Sequence, residues 1–148
     1  MRGPILLSVM LLAAPASASL SIGFDVGAGY WGAPTGDTFP GYAQFDAHLS
    51  VRNVFNKLIS LGVRPGFMVN VAPGISYGVP VDLQFRVRFL VLYAEALGGV
   101  AYLIRDPQPW RPHGALGVGL VVLGLTLGLE AGYLMNGFHG GLRIGFSI

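Results

Sequence analysis

The stretch LGLTLGLEAGY, residues 123–133, decides how the rest of the chain is read. Its glycines at 124, 128 and 132 have the spacing of four by which membrane helices pack closely. On a helix, however, Glu130 would lie about 200° from Gly128, at roughly 100° per residue, and would point into lipid. A carboxylate there is expensive. With a period of two the same residues sort cleanly: Leu125, Leu127, Leu129 and Ala131 take one face, and Thr126, Gly128, Glu130 and Gly132 take the other. The stretch is therefore a strand with one apolar and one polar side, its glycines leaving room for larger side chains opposite.

Four further runs repeat the pattern. Ile22, Phe24, Val26 and Ala28 alternate with Gly23, Asp25, Gly27 and Gly29. Ala43, Phe45, Ala47, Leu49 and Val51 alternate with Gln44, Asp46, His48, Ser50 and Arg52. Leu83, Phe85 and Val87 oppose Asp82, Gln84, Arg86 and Arg88, and Leu142, Ile144 and Phe146 oppose Gly141, Arg143 and Gly145. Extending this parity predicts eight strands, over residues 20–31, 42–53, 58–69, 79–88, 91–103, 113–122, 125–135 and 139–148. Each is about ten residues, the length of a tilted membrane-crossing strand. Connections at 32–41, 70–78, 104–112 and 136–138 are rich in Gly, Pro and Asn, whereas those near 54–57, 89–90 and 123–124 are tight. Long loops at one end and short turns at the other suit an up-and-down barrel. The turns near Phe89-Leu90 and Leu123-Gly124 carry little turn chemistry beyond one glycine.

Charge then says which face is the inside. Ten ionised residues fall within the expected strands, all opposite the apolar stripe: Asp25, Asp46, Asp82, Glu95 and Glu130 against Arg52, Arg64, Arg86, Arg88 and Arg143. Five of each sign is what an enclosed polar core requires, because buried ions are costly unless paired. The whole chain of 148 residues is 53% hydrophobic and only 11% charged, with 23 glycines. Soluble domains carry about 25% charged residues, so a water-facing exterior is excluded, as is disorder. The apolar faces are expected outward, in lipid, and the charges in the lumen.

Aromatic residues mark two girdles, since Tyr and Trp favour the boundary between hydrocarbon and water. Tyr30, Trp31, Tyr42, Phe67, Tyr77, Tyr102, Trp110, Tyr133 and Phe138 gather toward the long-loop end, and Phe24, Phe55, Phe89 and Phe146 toward the other. Residues 1–18 read as a cleaved secretory signal peptide: Arg2, an apolar run from Ile5 to Ala14, and small residues ending Ala16-Ser17-Ala18. Residues 19–148 then form the exported barrel. A formal charge of +2 argues against a nucleic-acid partner. The absence of cysteine removes disulfides and thiolate chemistry. Three histidines without a His-x₃-His pair give no metal site, and no cofactor is expected.

The leader, the eight alternating segments, the alternating connection lengths and the C-terminal GGLRIGFSI resemble the small outer-membrane β-barrels of the OmpA transmembrane-domain and OmpX type. The resemblance implies an outer-membrane location, periplasmic termini, a monomer, and contact with outer-membrane lipid, lipopolysaccharide and, during biogenesis, the barrel-assembly machinery. Such proteins usually end in an aromatic residue; here Phe146 is third from the end and Ile148 is last. An eight-stranded interior is only wide enough for side chains to fill, so a non-enzymatic structural or loop-presenting barrel is the primary expectation. A lipid-modifying enzyme on the same scaffold needs a nucleophile and base at the outer-leaflet level, with His113 and His139 as candidate bases and no His-x-Ser signature beside either. A narrow pore is the remaining alternative.

Overall fold

The computed structural model describes residues 19–32, 38–52, 58–70, 75–134 and 137–148; the expected leader lies outside these residues, as do Asp37, Phe55 and Lys57. The side chains of Trp31, Tyr42, Asp46, His48 and Arg52 also lie outside the description, although their backbone does not. Eight strands follow one another: β1 (Ser19–Gly32), β2 (Thr38–Arg52), β3 (Ile59–Asn70), β4 (Ser76–Phe89), β5 (Leu92–Ile104), β6 (Trp110–Val122), β7 (Leu125–Leu134) and β8 (Gly137–Ser147). Each pairs antiparallel with the next, and β8 returns to β1, so the sheet closes into a barrel without a free edge.

The stagger of the closed sheet fixes its width. Stepping between Cα partners from Ile22 through Leu49, Val63, Leu83, Gly98, Gly114, Tyr133 and Phe138 leads back to β1 at Gly32, ten residues beyond the start. Eight strands with that stagger tilt by about 41° and stand about 8 Å from the axis, at spacings of about 3.3 Å along and about 4.8 Å between strands. An interior of that radius is just wide enough for side chains to fill.

Several strands begin earlier than the period alone predicts. β2 starts at Thr38, β4 at Ser76 and β6 at Trp110, so the long-loop end is a continued ladder where loop was expected. Gly and Pro did not stop it, because the residues there still face a hairpin partner apart from Gly41 at the register shift; Pro40, for example, pairs with Tyr30 just past it. The connection from Arg105 to Pro109 is correspondingly short.

The tight turns at the opposite end fall on Leu90-Val91 and Leu123-Gly124, the first one residue later than expected. Leu123 and Gly124 have φ of 50° and 86°, the two positive angles of a type I′ hairpin turn. Leu90, at φ 55°, holds the first central position, where a two-residue hairpin often carries glycine. A leucine in the left-handed region costs about 1–2 kcal/mol. Because Leu123 is 94% exposed and loses little packing on replacement, Leu123→Asn should stabilise the barrel by about 1 kcal/mol. Urea unfolding in detergent micelles checks this; an unchanged or lower midpoint would contradict a strained turn.

Candidate functional site

The alternation of each strand places alternate residues inside. β1 sends Asp25 inward, β3 Arg64 and Met68, β4 Asp82, Gln84 and Arg86, β5 Tyr93, Glu95 and Leu97, β6 His113, β7 Glu130, and β8 His139 and Arg143. On the same strands Leu83, Leu116, Leu129, Leu142 and Ile144 face outward and are exposed. Lumen positions on β6, β7, β8 and β1 include many glycines, among them Gly117, Gly119, Gly128 and Gly132, so long side chains from β3, β4 and β5 can reach across toward that wall.

The inward charges form one continuous chain at mid-height. Glu130 stands at its centre: Arg64 donates Nη1 to Oε2 at 2.9 Å and Nη2 to Oε1 at 3.5 Å, and Arg143 donates Nη1 to the same Oε2. Arg143 also lies 3.7 Å from Asp25, and Arg64 lies 3.7 Å from Asp82. Asp82 in turn accepts the Nδ1 proton of His113, whose nitrogen is 2.7 and 2.8 Å from the two carboxylate oxygens. The chain Asp25, Arg143, Glu130, Arg64, Asp82 and His113 thereby ties β1, β8, β7, β3, β4 and β6 together. In a desolvated space the two arginines and three carboxylates of this chain would each be costly alone, and the alternation of their signs offsets that cost.

A second cluster sits nearer the short turns. Glu95 accepts from Gln84 Nε2 at 2.8 Å and from Arg86 Nε at 2.9 Å, while the Arg86 guanidinium lies 4.6 Å from the centre of the Tyr93 ring. Above the central chain the rings of His113 and His139 stack 5.5 Å apart. Between the layers, beside Glu130, His139 and Arg143, is a cavity of about 10 Å³, room for one water molecule.

Of the ten charged residues read from the sequence, seven with described side chains enter these two clusters: Asp25, Arg64, Asp82, Arg86, Glu95, Glu130 and Arg143. Arg88 does not. It lies at the end of β4, past Glu95, and its Nε donates to the carbonyl of Leu90 in the adjoining turn at 3.1 Å. For Asp46 and Arg52 only register is described; Asp46 pairs with Asp25, and Arg52 with Ser19. His113 is the member the charge count missed, because a histidine carries no formal charge and its distance from Asp82 depends on register. Its 4% exposure places it inside the barrel.

At the long-loop end the aromatics meet in pairs. Tyr102 and Trp110 contact edge to face at 5.1 Å, Tyr133 and Phe138 likewise at 5.5 Å, and Phe67 stacks on Tyr77 at 6.1 Å. Tyr30, Tyr77, Tyr102 and Trp110 all point outward. Beside them Arg111 is held by Asp106 and Gln108 at the surface.

No family model and no curated protein matches the sequence. The fold does have counterparts among solved structures. A de novo designed transmembrane β-barrel superposes with a TM-score of 0.60 at 14% identity, over 86% of this chain and 95% of that one. Neisserial surface protein A, NspA, gives 0.59 at 16% identity over 89% and 98%. The N-terminal β-barrel domain of Pseudomonas aeruginosa OprF gives 0.53 at 12% identity over 86% and 97%. At such identities the likeness is one of fold: the chain is folded as the small outer-membrane β-barrels are, in agreement with the resemblance read from its sequence.

Proposed function

We propose that this chain is an integral outer-membrane protein, exported by a leader cleaved after Ala18 and crossing the membrane as an eight-stranded, monomeric, non-enzymatic barrel. The short turns and both termini face the periplasm, and the long-loop end faces outward among lipopolysaccharide. The ionic lumen braces the wall from within and leaves no aqueous path, so the protein acts as a rigid anchor that presents its outer loops. The barrel-assembly machinery inserts it, and membrane lipid is its standing partner.

One observation carries this reading: large apolar side chains are exposed on the outer wall while arginines and carboxylates are buried inside. In water that arrangement would leave hydrocarbon unsheltered, as with Leu83 at 69% and Leu116 at 68% exposure. In lipid it is the low-energy arrangement. Unheated protein in detergent should migrate differently from boiled protein on a gel, and single cysteines at Leu129 and Leu142 in vesicles should react with a lipid-soluble maleimide but not with a membrane-impermeant one. Ready labelling by the impermeant reagent would invert the reading. In planar bilayers the protein should give no steady open current; a sustained conductance would favour a narrow pore.

A further inference from the structure

Two imidazoles meet inside the barrel at its long-loop end. His113 on β6 and His139 on β8 stack at 5.5 Å, with 29° between their planes. Their strands are not neighbours, because β7 runs between them. At that level β7 carries Gly132, the Cα partner of His139, and a β-carbon there would lie 2.6 Å from His139 Nε2. The glycine leaves the space in which the rings meet, so the stack joins β6 to β8 across the strand that separates them. Both histidines are buried, and at the same end Met68 and Leu103, also buried, lie together over Gly78. The pair is therefore held in a desolvated part of the lumen.

The charges around the pair decide how many protons it can hold. β4 supplies Asp82, which takes the His113 Nδ1 proton. β7 supplies Glu130, and β3 and β8 supply Arg64 and Arg143, which both donate to it. β1 supplies Asp25, beside Arg143. On β5 Glu95 is taken up by Arg86 and Gln84, and Arg111, two residues from His113 on β6, is taken up by Asp106. On β2 Asp46 is in register with Asp25 and His48 with Gly23, their side chains lying outside the description. Among the described residues the central chain thus sets three carboxylates against two arginines, and one added proton balances it. A second proton meets no spare carboxylate. With Nδ1 committed to Asp82, a further proton on His113 falls on Nε2, which is buried and has no acceptor among the described residues. Two imidazoliums stacked in a space without bulk water repel each other. We propose that the His113–His139 stack is an acid-sensitive latch: it ties β6 to β8 beneath the long loops while it holds no more than one proton, and releases them when both rings are charged.

The test is amide hydrogen exchange of the folded protein in micelles at pH 7 and pH 5, read by mass spectrometry and corrected for the intrinsic effect of pH on exchange. Once the end is open, both rings take up protons freely as the pH falls through about 6.5. The open form then binds more protons than the closed one, so acid favours opening. Ordinary carboxylates titrate at about pH 4, below this window. In wild type, peptides from the long-loop halves of β6 and β8 should lose protection about tenfold between pH 7 and pH 5, and peptides across the Leu90-Val91 turn should not change. His139→Phe keeps a ring in the stack but removes its titratable nitrogens, and should abolish the response. His139→Gln should abolish it as well, and heat-dependent gel mobility confirms that each variant is folded. Equal protection of wild type at the two pH values, or a wild-type response surviving in the folded His139 variants, would overturn the latch while leaving the membrane barrel standing.

Discussion

Glu130→Leu is expected to destabilise the barrel by about 3–5 kcal/mol, the cost of removing one partner from a buried ion pair. Among the described residues Glu130 is the carboxylate that accepts from both Arg64 and Arg143. Without it, both guanidiniums lose their close contact to that carboxylate; the described contacts of Arg64 to Asp82 and of Arg143 to Asp25 are longer, each 3.7 Å. Two cations would then confront each other in a lumen too narrow for bulk water. The comparison is Asp106→Leu, which breaks the half-exposed bridge to Arg111 at 3.2 Å, in the connection between β5 and β6. Surface pairs contribute about 0–1 kcal/mol, so that variant should unfold close to wild type. The double variant Arg64→Met/Glu130→Leu removes a charge of each sign and should lose less than the two single changes added together. Urea titrations in micelles read wild type, the three single variants Glu130→Leu, Arg64→Met and Asp106→Leu, and the double variant. Equal midpoints for Glu130→Leu and Asp106→Leu would mean that the lumen ions are solvated and do not depend on one another.

The parity of the chain was legible because it is a local property. Leu125 to Gly132 announce a two-faced strand in eight residues, and the same parity sets Arg64, Asp82 and Arg143 on the inner side without knowledge of any neighbour. Partnership is a different matter. Arg64 and Glu130 are 66 residues apart, and they meet because of the ten-residue stagger that accumulates around the closed sheet, a quantity no segment contains. His113 joined the ionic chain for the same reason. The turns at Leu90 and Leu123 were visible as breaks in the pattern, but their residues are poor turn formers; the strands on either side impose the positive φ that Leu would not choose alone. The early starts of β2, β4 and β6 show the reverse. Gly and Pro there signal loops locally, and the adjoining ladder overrides them as long as a hairpin partner is opposite.

Gly128→Val tests the asymmetry of the lumen, in which a glycine-rich wall receives side chains from the other side. A β-carbon at Gly128 would collide with the hydroxyl of Tyr93, lie 3.1 Å from its Cζ and 2.9 Å from the carbonyl oxygen of Val118. Tyr93 has little freedom to withdraw: it is 4% exposed, and the Arg86 guanidinium covers its ring at 4.6 Å. Overpacking of this kind costs about 3 kcal/mol, to which a displaced cation–π contact adds about 1 kcal/mol. Tyr93→Ala alone should cost about 3–5 kcal/mol through the cavity it leaves. In Gly128→Val/Tyr93→Ala the added methyls occupy part of that cavity, so the double variant should be more stable than the sum of its parts predicts by at least about 1 kcal/mol. Full rescue is not expected, because the Val118 carbonyl belongs to the backbone and cannot step aside. Gly98→Val is the matched control: Gly98 faces outward, a β-carbon there meets nothing within 4 Å, and the change should be neutral or stabilising by about 1 kcal/mol from the better strand former. If Gly98→Val were as damaging as Gly128→Val, the penalty would come from the loss of glycine itself, and the inner wall would owe its composition to backbone flexibility rather than to the reach of Tyr93.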